Sequence, residues 1–162
     1  MEKKTMLNAS DIMTRTVITV TPETSIKELA GILTRNHISG AVVVDNDDKV
    51  IGVVTGSDLI FQNKKLHIPA VVAILDSYFF LEKPKKMGRE MQKMAGATVG
   101  DIFSQEVTAV QVDTTIADIA TIMSEQHIHT LPVLKDDTLV GVIGKKDIIK
   151  TIAADPTEKP TR

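Results

Sequence analysis

Short apolar runs alternate along the chain with stretches of helical periodicity, and the same order of elements occurs twice. Val17-Ile18-Thr19-Val20 reads as a strand and Pro22-Glu23-Thr24 as a turn. Ser25-Ile26-Lys27-Glu28 has a hydroxyl three residues before a carboxylate, a capping box that opens a helix predicted to reach about Asn36. Its apolar residues Ile26, Leu29, Ala30, Ile32 and Leu33 recur at helical spacing and cover a wide stripe. Gly40 to Val44 and Val50 to Thr55 are predicted strands. Asp45-Asn46-Asp47-Asp48 between them is a turn, because short polar side chains bond nearby backbone. A further helix begins at Ser57 and runs to about Phe61.

The order returns 90 residues on. Asp101-Ile102-Phe103-Ser104 matches Asp11-Ile12-Met13-Thr14, Val107 to Val110 matches Val17 to Val20, and Thr115-Ile116-Ala117-Asp118 repeats the capping box. His127-Ile128 matches His37-Ile38, and Leu131 to Leu134 matches Ala41 to Val44. One residue is then lost in the hairpin turn, so the offset is 89 from Gly52/Gly141 onward. Apolar coincidences carry little weight in a chain rich in Val and Ile. The polar and glycine pairs decide the matter: Asp11/Asp101, Thr24/Thr114, His37/His127, Asp47/Asp137, Gly52/Gly141 and Asp58/Asp147. The prediction is two copies of a β-α-β-β-α unit, each too small to bury its sheet alone.

Composition narrows the class. The 162 residues suffice for one compact domain or two small fused units. Apolar residues are 43% and aromatic ones only 3%, so the core must be built of Val, Ile, Leu and Ala. A formal net charge of −2 gives no electrostatic case for a nucleic-acid partner. With no cysteine there is no disulfide, thiolate nucleophile or Cys-based zinc site. The amino terminus lacks the apolar stretch of a signal peptide, and the longest apolar run, Ile68 to Leu75, is too short to span a bilayer, so a cytoplasmic location without membrane contact is expected.

Candidate chemistry sits at the end of each repeat. Gly52-Val53-Val54-Thr55-Gly56-Ser57-Asp58 is a strand ending in a turn that opens a helix, and its copy is Gly141-Val142-Ile143-Gly144-Lys145-Lys146-Asp147. A helix start offers unpaired N–H groups and a partial positive charge to a phosphate. A strand-end Thr hydroxyl adds a donor, and an Asp one turn later can accept from both hydroxyls of a ribose. Ordinary helix capping is the better explanation of one isolated copy; the duplication shifts the weight toward half of a nucleotide site. No Ser elbow, phosphate-binding Gly-Lys-Thr loop or carboxylate–His cluster is present, so no catalytic set, catalytic cofactor or metal is expected. His127 and His129 would form a metal pair only with a third ligand, and none is evident.

Residues 62–98 read as an ordered insert. Ile68-Pro69 and Ala70 to Leu75 call for burial, as does Tyr78 to Leu81, and Pro84 opens a helix to about Ala95 with Met87, Met91 and Met94 on one face. Its other side carries Lys83, Lys85, Lys86, Arg89 and Lys93, most simply a solvated face. Residues 155–162 read as a disordered tail. The division is therefore 1–61 for the first repeat, 62–98 for the insert and 99–154 for the second repeat.

The two copies resemble a tandem pair of cystathionine β-synthase (CBS) domains, a Bateman module, over about residues 11–61 and 101–152. The motifs are Asp11-Ile12-Met13-Thr14, the run from Ile38 to Asp45, the run from Ile128 to Leu134, and the Gly-x-x-Thr-x-x-Asp region ending at Asp58. The insert is similar to that of small stand-alone bacterial two-repeat proteins. The resemblance implies an α/β (α+β) fold of two β-α-β-β-α repeats packed sheet to sheet with pseudo-two-fold symmetry. It also implies two clefts that hold adenosine-containing ligands such as AMP, ADP, ATP, S-adenosylmethionine or a cyclic dinucleotide. Carried over, one cleft would use Thr55, Ser57 and Asp58 with walls from Ser104, Thr108, Ile128, His129, Thr130 and Leu131. The second would use Asp147 with Lys145 and Lys146, against Thr14, Ile18, Ile38, Ser39, Gly40 and Ala41.

Gly144 departs from the pattern, standing where Thr or Ser is expected. The Asp58 cleft therefore ranks above the Asp147 cleft for occupancy. The expected role is a regulatory module that senses an adenosine compound, signals to an effector protein and forms a homodimer through the part of the wide helical stripes 25–36 and 115–126 left over after one side covers the sheet. The alternative is a structural or protein-interaction dimer with vestigial clefts, which Gly144 and the missing effector domain favour.

Overall fold

A computed structural model of the chain describes residues 6–62 and 97–154. The insert helix with its methionine and lysine faces, the apolar run 68–75 and the carboxy-terminal tail lie outside the described residues. The elements are α1 (Ala9–Ile12), β1 (Thr19–Val20), α2 (Ile26–Arg35), β2 (Gly40–Val44), β3 (Val50–Thr55) and α3 (Gly56–Gln62), then α4 (Val99–Ile102), β4 (Val110–Gln111), α5 (Ile116–Glu125), β5 (Thr130–Lys135), β6 (Thr138–Gly144) and α6 (Lys145–Ala153). The fold is α+β with two three-stranded sheets, ordered β1-β2-β3 and β4-β5-β6.

The compact units do not follow the repeats. A central unit is residues Thr19–Gln105, and a terminal unit combines Met1–Ile18 with Glu106–Arg162. The segment leading into each repeat is exchanged: it packs on the other repeat's sheet. In the terminal unit the Ala9 and Ser10 N–H groups donate to the Thr114 and Val112 carbonyls, at 2.8 and 2.9 Å. In the central unit Val99 and Gly100 N–H donate to Thr24 and Pro22, also at 2.8 and 2.9 Å. Each lead-in opens on a four-residue helix whose third residue, Asp11 or Asp101, accepts from the cap N–H of Asn8 or Thr98.

Within the central unit β1 runs parallel to β2, and β2 antiparallel to β3 with Gly40 opposite Thr55. The terminal unit repeats the pattern, with Thr130 opposite Gly144. The first strand of each repeat is shorter than the four residues predicted. Only Thr19–Val20 and Val110–Gln111 find partners, and an apolar run without a partner forms no ladder. The capping residues act as read: Ser25 Oγ accepts from Glu28 N–H at 3.1 Å, and Thr115 Oγ1 from Asp118 N–H at 3.2 Å.

The helical stripes are spent on the cores. Leu29, Leu33, Val43 and Val54 form the central core with Val20, Ala41 and Val99. Ile119, Met123, Val133 and Ile143 form the terminal one with Ala9, Val110 and Leu131. Leu29 and Ile119, equivalent in the two repeats, are 0% exposed, and such burial contributes about 1.5–3 kcal/mol each.

Both long helices end on a histidine in the left-handed region, His37 (φ 52°) and His127 (φ 54°). After α2, Ile38 N–H reaches back to Leu33 O and His37 N–H to Thr34 O, at 3.1 and 3.3 Å; after α5, Ile128 N–H reaches Met123 O at 3.1 Å. This is a Schellman turn with its apolar clasp. His127 thus ends a helix, and β5 begins only at Thr130. The single-residue deletion also has a structural form. Lys135 pairs with Thr138 around Asp136 (φ 49°) and Asp137 (φ 64°), a two-residue turn of the primed type. The first repeat has the longer turn, in which Asp45 Oδ1 accepts from both Asp47 and Lys49 N–H at 2.9 Å.

Candidate functional site

In the central unit β3 delivers Thr55 to the start of α3, and Asp58 folds back on it. Asp58 Oδ2 accepts from Thr55 N–H at 2.7 Å and from Thr55 Oγ1 at 3.0 Å. Helix capping at this position is therefore physically present. Oδ1 of Asp58 makes no hydrogen bond among the described residues. The carboxylate is anchored on one oxygen and able to accept on the other.

Two further segments converge on this point. The Schellman turn feeds Ile38 and Ser39 into β2, and Ser39 O accepts from Gly56 N–H at 2.9 Å. The lead-in, here a strap along the sheet, pairs Ser104 with Val53 by reciprocal hydrogen bonds of 3.1 and 3.4 Å, two residues before Thr55. The strap lies close because Gly52 has no side chain. A Cβ there would overlap the Ser104 carbonyl oxygen and the Phe103 ring. Ser39, Ser57 and Ser104 are exposed around the half-buried Asp58.

The terminal unit builds the same corner from other residues. Thr14 pairs with Val142 at 2.9 and 3.0 Å, Met13 lies over Gly141, and His129 O accepts from Lys145 N–H at 3.3 Å. Asp147 Oδ2 accepts from Gly144 N–H at 2.7 Å. Glycine supplies no hydroxyl, so the second bond that Asp58 receives is missing. Lys145, Lys146 and His129 are exposed beside the half-buried Asp147.

The expected site residues divide between the two units. Thr55, Ser57, Asp58 and Ser104 do come together, and Ile38, Ser39, Gly40 and Ala41, assigned above to the other cleft, join them in the central unit. Ile128, His129, Thr130 and Leu131 lie in the terminal unit beside Gly144 and Asp147, with Thr14 and Ile18. Thr108 is in that unit too, its Oγ1 donating to Gln126 Oε1 at 2.9 Å. Ala41 and Leu131 are core residues, because strand alternation turns their side chains inward. Met13 and Phe103, which seat the straps, were missed as site-shaping residues; the signal was the glycine repeated at 52 and 141. No group of three metal-ligating side chains occurs among the described residues.

Two like α+β units, each with a strand-end carboxylate flanked by a borrowed strap, define a paired-repeat protein. The family model for the CBS domain matches residues 9–72 and 99–154, so the chain belongs to the CBS-domain family and carries two copies. An uncharacterised protein of Methanocaldococcus jannaschii, MJ1404, is 34% identical over 142 residues, covering 88% of this chain and 31% of its own length. A second from the same organism, MJ1426, is 26% identical over 88% of this chain and 89% of its length. Among solved structures, CBSX2 in complex with AMP, a protein of Arabidopsis thaliana, has 24% identity and a TM-score of 0.67 over 90% of this chain and 96% of that one. The CBS domain pair of MJ0100 in complex with 5′-methylthioadenosine and S-adenosyl-L-methionine has 23% identity and a TM-score of 0.67, over 91% and 97%. No described helix is long and apolar enough to cross a membrane.

Proposed function

We propose that the protein is a regulatory module that binds an adenosine-containing ligand at the strand-end corner of each unit and passes occupancy to an effector protein. One observation carries this. Asp58 is fixed through Oδ2 by two bonds from Thr55 while Oδ1 stays open, the arrangement needed to accept from the two hydroxyls of a ribose. Ser39 and Ser104 stand beside it as further polar partners. The ligands bound to two proteins of the same fold, AMP in CBSX2 and 5′-methylthioadenosine with S-adenosyl-L-methionine in MJ0100, support the adenosine class. Binding shifts an existing equilibrium of the straps and units, and no residue acts as a catalyst or holds a catalytic cofactor. We place the protein in the cytoplasm.

The test is a thermal-stability screen with AMP, ADP, ATP, S-adenosylmethionine, 5′-methylthioadenosine and cyclic dinucleotides. At a concentration near 100 times the dissociation constant a true ligand stabilises the protein by about 2.7 kcal/mol. A flat response to all of them overturns the reading.

A second reading, a protein-interaction homodimer with vestigial sites, is favoured by the exposed apolar residues Ile60 on α3 and Ile149 and Ile152 on α6, 60, 53 and 77% accessible. Ile60 and Ile149 are equivalent in the repeats. We place the self-association surface there. Light scattering of Ile149→Glu/Ile152→Glu should show monomer where the wild type is dimer.

A further inference from the structure

Gly144, Lys145 and Lys146 set the terminal corner apart from the central one. Gly144 ends β6 at φ −103°, a conformation open to any residue. A Cβ added there would stand 3.6 Å from Asp147 Oδ2 and 3.9 Å from His129 O, both ordinary contacts. Neither backbone nor packing asks for glycine. Lys145 and Lys146 occupy the first two positions of α6, where cations oppose the helix dipole. At the equivalent positions the central unit has Thr55, Gly56 and Ser57, with Ser39 in the place of His129. The shared carboxylate thus stands among neutral hydroxyls in one unit. In the other the same helix start carries two lysines, His129 stands at the strand entrance, and glycine supplies no hydroxyl. Arg15, on the same strap as Thr14 and opposite Gln105 of the other copy, donates to Ser10 O at 3.4 Å and so adds its charge less directly. A glycine that neither backbone nor packing asks for, and cations at the positive end of a helix, are local departures expected where a ligand is recognised.

We infer that the two corners sort adenosine ligands by the charge of the 5′ substituent. This rests on the adenosine-binding reading and deepens it. The terminal corner, with Gly144, Lys145 and Lys146, takes a polyphosphate, whose oxygens fill the space left by the missing hydroxyl and meet the lysine charges. The central corner, with Thr55 and Ser57, takes a 5′ substituent that is neutral or cationic, for which Thr55 and Asp58 supply hydrogen bonds, and the positions equivalent to the two lysines are Gly56 and Ser57.

The experiment is calorimetric titration of the full chain with ATP and, separately, with 5′-methylthioadenosine, in Asp58→Ala and in Asp147→Ala. Each variant isolates one corner. If either alanine variant melts below the assay temperature, the asparagine variant, whose amide oxygen still accepts the strand-end N–H, replaces it. In Asp58→Ala, ATP should bind at least about tenfold tighter than 5′-methylthioadenosine, and 0.5 M salt should erase most of that preference. Adding Lys145→Ser and Lys146→Ser should remove it, and Gly144→Thr should reduce it. In Asp147→Ala the preference should vanish or reverse. The same ligand ratio in both backgrounds overturns the sorting while leaving adenosine binding intact. Absence of any heat with wild type for either compound overturns both.

Discussion

In the central unit a strap lays the ring of Phe103 on Gly52, and in the terminal unit it lays the flexible side chain of Met13 on Gly141. The central unit ties its carboxylate with two bonds from Thr55, the terminal one with a single bond from Gly144. The cores beneath barely differ: Leu29 and Ile119 take the same place, as do Val43 and Val133, and Val54 and Ile143. Packing therefore fixes the interior of both copies, and the freedom to diverge is confined to the strap, the strand end and the hairpin. Those are the places where a ligand or partner would be told apart.

The sharpest test of shared interiors is Leu29→Ala against Ile119→Ala. Each should cost about 2–5 kcal/mol in urea unfolding, because each empties a fully buried site. A value below 1 kcal/mol for only one of them would show that its unit packs loosely. The straps should separate the units next. Gly52→Ala forces a Cβ into a backbone carbonyl and a ring and should cost about 3 kcal/mol or more. Gly141→Ala meets Met13 Cγ at 2.8 Å and Cβ at 3.1 Å, chiefly a flexible side chain, and should cost only about 1 kcal/mol. Equal losses would mean that Met13 is as fixed as Phe103.

Removing the carboxylates is a smaller perturbation. Asp58→Ala leaves two Thr55 donors without their acceptor and should cost about 1–2 kcal/mol, and Asp147→Ala, which frees one, about 1 kcal/mol or less. The reverse order would contradict the bonding described. Smallest of all, His127→Gly should raise stability by roughly 0.5–1 kcal/mol by relieving a left-handed backbone at φ 54°. His37→Gly should gain less, since His37 makes a further interaction that glycine would lose.

Much of this was legible in the sequence. The polar and glycine pairs gave the duplication, and β2 and β3 fall where alternating apolar runs met turn residues, over Gly40–Val44 and Val50–Thr55. The first strands were overread because Val17 and Ile18 look like strand but find no ladder partner. The exchange of lead-ins was not legible. It depends on where Asp11 to Thr14 and Asp101 to Ser104 dock, and local pattern carries no information on which copy's glycine receives them. For the same reason the bond from Gly56 N–H to Ser39 O, which ties the start of β2 to the start of α3, was not readable from local pattern. Site residues were readable as types; their grouping is a property of topology.

The central claim is that each strand-end carboxylate, with its own β strand and borrowed strap, forms an adenosine site. Backbone amide NMR of the labelled protein during titration with 5′-methylthioadenosine tests it directly. The account predicts shifts concentrated at Ser39, Thr55, Gly56, Asp58 and Ser104, with a parallel set at Thr14, His129, Gly144 and Asp147 when ATP is used. Shifts absent from both sets, or scattered over α2 and α5 instead, would contradict it.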